Sequence, residues 1–227
     1  MIALRRWFWE VVAAGAVMAV LLSLVAIDYV APLDLNQPPG LFTWLHLQLL
    51  QLDPEACYAA LDRAQVHYKR FEDPMKDGCG VVHGAVMTDS EINHGGHVLM
   101  SCHGLAGLVL WERTVVAPAA ERYFNAKVTR VRNMGTYSCR NIEHKKDKMR
   151  SQHATANAVD VGAFGFSSGP DVVLEKDWKD TGAKGAFERE VRDGACKIFS
   201  TVLSPDYNPN HSNHYHMDMS FLVRFCR

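Results

Sequence analysis

The chain has 227 residues, 48% of them apolar and 22% charged, which is enough apolar material to build a core unaided and excludes a disordered or fibrous protein. Its 24 basic and 25 acidic side chains leave a net charge of -1. That lacks the basic excess needed to neutralise a row of phosphates, and nucleic acid is excluded as a partner.

The first element in chain order is an apolar run from Val11 to Ile27, preceded by Arg5 and Arg6 and flanked by Trp7, Phe8, Trp9 and Tyr29. With its aromatic flanks it approaches the roughly 20 residues needed to cross a bilayer, and the aromatics sit where interfacial belts form. Arginines held in the cytoplasm send the rest of the chain outside. Residues 1–30 are therefore expected to be a single-pass anchor in the inner membrane, with the C-terminal part in the periplasm. A signal segment cleaved after export is the alternative, although Leu24-Val25-Ala26 is a poor small-x-small cleavage site.

All six cysteines, Cys57, Cys79, Cys102, Cys139, Cys196 and Cys226, lie on the exported side. An even count in an oxidising compartment predicts three disulfides. Six cysteines allow about 15 pairings, of which the nearest-neighbour set 57/79, 102/139 and 196/226 closes short loops. A cysteine-bound zinc is disfavoured because no C-x2-C or C-x4-C pair occurs.

Residues 31–41, with Pro32, Pro38 and Pro39 beside Asp34 and Asn36, read as a linker, and 42–227 as the folded domain. Asp53-Pro54-Glu55 starts a helix, with Cys57, Leu61, Ala64 and Tyr68 following at helical spacing. Phe71 to Gly80 reads as loop, and Val81, Val82, Val86 and Met87 as short strands. From Leu105 to Phe124 a helix is predicted, its stripe being Leu108, Trp111, Val115 and Ala119, bent or ended by Pro118. Val128 to Val131 reads as a strand.

In the second half, Ala158 to Phe164, Val172 to Leu174 and His214 to Val223 read as strands of one sheet. Between the last two, Phe187, Val191, Ala195, Ile198 and Val202 mark an amphipathic helix in which Gly194 costs about 1 kcal/mol. Helices early and antiparallel strands late predict an α+β fold.

The chemistry-bearing residues concentrate in Ser151 to Asp160 and His211 to Asp218. Two histidines and a carboxylate can make a three-ligand zinc site with one open position. Asp160 on a strand, His153 on the loop entering it, and His214 and His216 on one face of a second strand would converge. Spacing alone carries little, since 11 histidines in 227 residues yield roughly half of one His-x-His by chance.

Further motifs occur in a telling order: Tyr137-Ser138-Cys139-Arg140, the Ser-x-His-x6-Asp of Ser151 to Asp160, Phe164 and Gly169, Asp177-Trp178, Leu203 to Asn208, and His211-x2-His214-Tyr215-His216-Met217-Asp218. In that order they resemble the extensin-like C-terminal domain family from about Cys57 to Cys226. That family is similar in turn to the LAS group of zinc peptidases, which includes D-alanyl-D-alanine carboxypeptidases and murein endopeptidases. The resemblance implies His153, Asp160 and His216 as ligands of one zinc ion, His214 as the catalytic partner, and Arg140 as the grip on a substrate carboxylate. Two positions depart from the group. Ala156 replaces the usual Gly, and Asn213, not Glu, stands three residues before His216, so the proton acceptor has to be His214.

The implied activity is hydrolysis of an amide bond in a peptidoglycan peptide, with zinc-activated water and a histidine base. A catalytically silent domain of the same fold that binds wall peptides or a protein is the alternative. Asp218 is expected either to hold a ligand imidazole from behind or to be an exposed strand carboxylate. His94-Gly95-Gly96-His97, with His83 and His103, reads as a solvated loop before a second metal site. Arg140 to Arg150, with five basic and two acidic residues, reads as a solvated loop before a surface for an anionic wall. Glu175 and Asp177 flank Trp178 in a turn and have no evident partner.

Overall fold

The computed structural model describes residues 32–227 together with Glu10, residues 15–18 and Ser23. The membrane anchor expected over residues 1–30 lies outside the described residues apart from those few, and so does its signal-segment alternative. Among the described residues no helix is long and apolar enough to cross a membrane.

Two helices open the folded part, α1 (Thr43–Leu50) and α2 (Pro54–Arg63). The Asp53 side chain accepts a hydrogen bond from the Ala56 N–H, and Pro54 sits in the first turn, where its missing N–H costs nothing. α2 ends at Arg63, so Tyr68 is not its continuation. Tyr68 lies on β1 (His67–Lys76), its ring stacked on Tyr58 of α2 at 5.8 Å.

The stretch expected as loop, Phe71 to Gly80, is a hairpin. β1 pairs antiparallel with β2 (Cys79–Asp89) through Asp77-Gly78, whose φ angles of 51° and 77° are those of a type I′ turn. Pro74 and the charges around it imitate a loop because β1 is an exposed edge strand with register shifts on both sides of Asp73, and there proline is tolerated. The short strands expected from Val81 to Met87 are all parts of β2. β3 (Val98–Ser101) completes a three-stranded antiparallel sheet.

All of α3 (Cys102–Trp111) is buried. A helix apolar on every side has to run through the core, so the single stripe read from the sequence understates it. Before Pro118 the chain widens into a π-helical segment, Glu112–Val116, and α4 (Ala117–Phe124) restarts with Pro118 in its first turn.

The second sheet is built from β4 (Val128–Gly135), β5 (Ala158–Phe166), β6 (Val172–Val173), β7 (Thr201–Leu203), β8 (Tyr215–Asp218) and β9 (Phe225–Cys226). Its order is β4-β5-β8-β7-β9 with β6 on β5, antiparallel except for the parallel pair β7/β9. Helices α5 (Leu174–Asp177) and α6 (Ala183–Ile198) lie between β6 and β7. The α+β class read from element order holds. Val202 belongs to β7, not to the helix, and the last predicted strand shrinks to Tyr215–Asp218. Gly194 on α6 has a packing reason: a Cβ there would overlap the Val115 side chain of the π-helical segment.

Three disulfides form, but only one follows the nearest-neighbour set: Cys57–Cys102, Cys79–Cys139 and Cys196–Cys226. Packing decided the first two. α2 lies against α3, which brings Cys57 to Cys102, while Cys79 at the start of β2 meets the segment leaving β4. Cys79–Cys139 spans a sequence separation of 60. Replacing both cysteines by Ala is expected to cost about 4 kcal/mol of stability, from the extra loop entropy of the unfolded chain, measured by denaturant unfolding.

Glu188 on α6 is fully buried, and neither carboxylate oxygen has a hydrogen-bond partner among the described residues. Burial, and then the negative charge of Asp177, push its carboxyl up to about 8. The folded chain therefore keeps a proton that the unfolded chain sheds near 4.5, and stability falls as pH rises between those two values. Glu188→Gln is expected to match the parent at pH 4 and exceed it at pH 8 by on the order of 4 kcal/mol, read from melts at the two pH values.

Candidate metal centre

β5 and β8 are neighbours, and their register sets Asp160 directly opposite His216. Opposed residues of an antiparallel pair carry their side chains on the same face, close enough to touch. His153 arrives from the short 3-10 turn Gln152–Thr155 that feeds β5. Ser151 caps this turn through its hydroxyl, which accepts from the His153 N–H, and Ala156 closes it in the left-handed region at φ 51°. That conformation favours glycine, so Ala156 is held there at a cost.

The result is a tight triangle. His153 Nε2 lies 3.1 Å from His216 Nδ1 and 3.2 Å from Asp160 Oδ1, and His216 Nδ1 lies 3.0 Å from Asp160 Oδ1. Among the described residues these three form the only group of three or more His, Cys, Asp or Glu side chains close enough to share an ion.

Which nitrogens carry protons follows from the outer partners. His153 Nδ1 faces the Thr136 carbonyl oxygen at 3.2 Å, an acceptor only, so that nitrogen holds the hydrogen and Nε2 presents a lone pair. His216 Nε2 faces Asp218 Oδ2 at 3.1 Å and is likewise the donor, which leaves Nδ1 as a lone pair. Asp218 is itself fixed, its Oδ1 accepting from the Ser220 N–H at 2.9 Å and the Ser220 hydroxyl at 2.7 Å. Asp218 is buried, so the exposed-carboxylate alternative is excluded. Three lone-pair atoms converge on one point, and only a cation or a proton reconciles them. A donor set of two imidazoles and a carboxylate fits zinc, with the carbonyl and the carboxylate behind the imidazoles as orienting partners.

Protonation behaves accordingly. Burial alone would lower His216, but hydrogen bonds to Asp160 and Asp218 outweigh it and raise this imidazole to about 9. Burial likewise opposes ionisation of Asp160, yet its hydrogen bonds to His153 and His216 hold the carboxyl well below the usual range.

His214 stands just before β8. Its Nδ1 is 2.7 Å from Asn213 Oδ1, so Nδ1–H donates there and the free Nε2 lies 3.7 Å from Asp160 Oδ1. His214 does not belong to the group whose ligand atoms all lie within reach of one another, which sets it beside the triangle and not in it. Burial lowers its pKa, with Asp160 opposing. Arg140 makes no ion pair among the described residues, and its charge contributes to lowering His214. The segment carrying it is stitched to the His153 turn by the Ser138 N–H donating to the His153 carbonyl and the Ser151 N–H donating to the Arg140 carbonyl, both at 3.0 Å.

Two contributors escaped the sequence reading. The Thr136 carbonyl is a backbone group and leaves no sequence signal. His211 belonged to the quoted motif without a role; its ring packs 5.2 Å from His214 and 6.0 Å from His216, its Nδ1 is held by Asn208 Oδ1 at 2.8 Å, and burial lowers it to about 4. The spacing His211-x2-His214 was the available clue.

The other histidines do not assemble into a second group of three among the described residues. His83 and His97 are exposed, while His94 and His103 are buried, which corrects the solvated-loop reading for those two. Asp177 has partners after all: it accepts from the Val173 N–H and pairs with Lys184 at 3.1 Å. In the basic loop, Arg150 is engaged, its guanidinium donating to the Asp77 carbonyl and to Asn141 Oδ1.

An α+β, disulfide-linked domain with a His/Asp/His cradle on one face of its sheet is the class that fold and site define. The chain belongs to the extensin-like protein C-terminus family, whose model matches residues 55–227. No curated protein and no solved structure matches it.

Proposed function

We propose that this domain is a zinc-dependent peptidase that hydrolyses amide bonds in peptidoglycan stem peptides or cross-links, held in the periplasm by its N-terminal segment in the inner membrane. The observation that carries the reading is the convergence of three lone-pair atoms, with the His214 imidazole beside them, its Nε2 3.7 Å from Asp160 Oδ1. Similarity of the Ser-x-His-x6-Asp and His-x-His motifs to LAS-type peptidases supports a peptide substrate, and three disulfides suit an oxidising compartment.

His153, Asp160 and His216 would hold the ion, which when bound lowers the pKa of a water to about 7 and polarises a carbonyl. Thr136 and Asp218 keep the two imidazoles in the tautomers that offer lone pairs. His214 Nε2 accepts the proton of the attacking water and returns it to the leaving amine, because Asn213 already occupies its Nδ1–H. Arg140, whose charge reaches His214 and which has no ion-pair partner among the described residues, grips a substrate carboxylate in a two-pronged hydrogen bond.

One feature favours the rival reading of a binding domain without turnover: Asn213 stands where a glutamate base would be. The free lone pair of His214 supplies the missing acceptor. The full-length chain incubated with purified sacculi is expected to release a defined set of peptide fragments, and a chelator is expected to stop this until zinc is restored. Sedimentation with sacculi and no product at any zinc concentration would replace the peptidase with the binding domain.

A further inference from the structure

Well before the cluster in the chain, His94 and Glu112 are buried together, their side chains 3% and 5% exposed. His94 Nε2 lies 3.3 Å from Glu112 Oε1, yet neither atom has a hydrogen-bond partner among the described residues. Burying a carboxylate and an imidazole without satisfying them costs several times what one ordinary hydrogen bond contributes. Burial accordingly raises Glu112 to about 8, against the opposing charge of Arg113, and lowers His94 to about 4.

Two features mark the place as built. Glu112 lines a cleft of about 1180 Å³. It is the first residue of the π-helical segment Glu112–Val116, and such wide turns in helices recur where a functional side chain has to be aimed. The cleft wall carries both signs of charge, Asp89, Glu91 and Glu121 against Arg63, Arg113 and Lys127. Arg113 is turned to other work, donating to Asn36 Oδ1 and the Ala64 carbonyl.

We propose that His94 and Glu112 hold a second, buried divalent cation of the zinc or cobalt type, beside the cleft that Glu112 lines. Ligand atoms about 2.1 Å from a tetrahedral ion stand about 3.4 Å apart, which the 3.3 Å between these two atoms matches. A nitrogen and a carboxylate oxygen are a donor pair that such ions take. A cation there satisfies both orphaned atoms at once.

The test separates this site from the cluster at His153. The full-length chain carrying His153→Ala and His216→Ala together is titrated with cobalt(II), followed by visible absorbance and by metal analysis after equilibrium dialysis. One cobalt per chain is expected, with its affinity at least tenfold weaker once Glu112→Gln or His94→Gln is added and the circular dichroism spectrum unchanged. No cobalt bound by the doubly substituted chain, or equal binding after Glu112→Gln, overturns the proposal. If the double substitution prevents folding, the otherwise intact chain is titrated instead. Glu112→Gln then has to remove one cobalt equivalent, and an unchanged equivalent count overturns the second site whatever the first one holds.

Discussion

One zinc per chain is expected to stay with the full-length protein through dialysis against metal-free buffer, and His153→Ala and His216→Ala are each expected to lose it, with affinity falling more than about 100-fold. The loss should exceed the roughly 10–100-fold typical of partners that only orient a ligand, because each substitution removes one of three converging lone pairs. Asp218→Asn provides the contrast. It leaves all three ligand atoms in place but withdraws the charge behind His216 Nε2, so zinc should remain bound at millimolar supply and be lost more readily to a chelator. Elemental analysis of the four proteins side by side checks the series. A parent that folds and takes no zinc even when offered it would remove the basis of the peptidase reading.

The same geometry sets a pH dependence. Without a metal, folded His216 keeps its proton up to about 9, whereas the unfolded imidazole gives it up near 6.5. A raised folded-state pKa stabilises the chain fully below 6.5, and that contribution fades as pH climbs through 9; its size is on the order of 3 kcal/mol. Zinc has to displace this proton, so zinc affinity should weaken steadily as pH falls from 9. Melting curves at pH 6 and 9, with chelator and with zinc, should show the chelated protein losing stability at the higher pH and the zinc-bound protein gaining the larger increment there.

How much of this was legible in the sequence depends on the kind of interaction. Local rules worked where one residue type decides the outcome, as at the Asp53-Pro54 start of α2, whereas His214, read as sharing a strand with His216, stands just before β8. Chain order was enough for the α+β class. Edge strands were harder: β1 carries Pro74 and a row of charges because its outer side faces water, and composition alone then looks like loop. Tertiary packing was out of reach. Nothing in the spacing of the cysteines says that α2 lies on α3, so Cys57 could not be assigned to Cys102, and nothing around Gly95 and Gly96 says that His94 turns inward to Glu112. At the site, the three side chains that cluster were readable and their settings were not, since a backbone carbonyl at Thr136 fixes which nitrogen of His153 is free.

His214→Ala is expected to separate binding from chemistry. The substitution should leave zinc and fold intact, because His214 is not one of the three side chains whose ligand atoms lie within reach of one another. Turnover on sacculi should drop about 10²- to 10⁴-fold, the usual contribution of a positioned general base. The pH profile carries the more specific signature. Burial lowers His214 below its ordinary value, so the base stays unprotonated under mildly acidic conditions and the acid limb of kcat/KM in the parent should lie below pH 6.5. The limb assigned to this group should vanish from the residual activity of the variant. Arg140→Lys makes the complementary cut: a lysine keeps the charge and loses the fork, so KM should rise several-fold with kcat little changed. A His214→Ala protein that sheds zinc would make the imidazole a ligand and not the base. One that keeps both zinc and full activity would pass the role of base to another group, and His211, packed 5.2 Å from it, is the nearest imidazole outside the triangle with a lowered pKa.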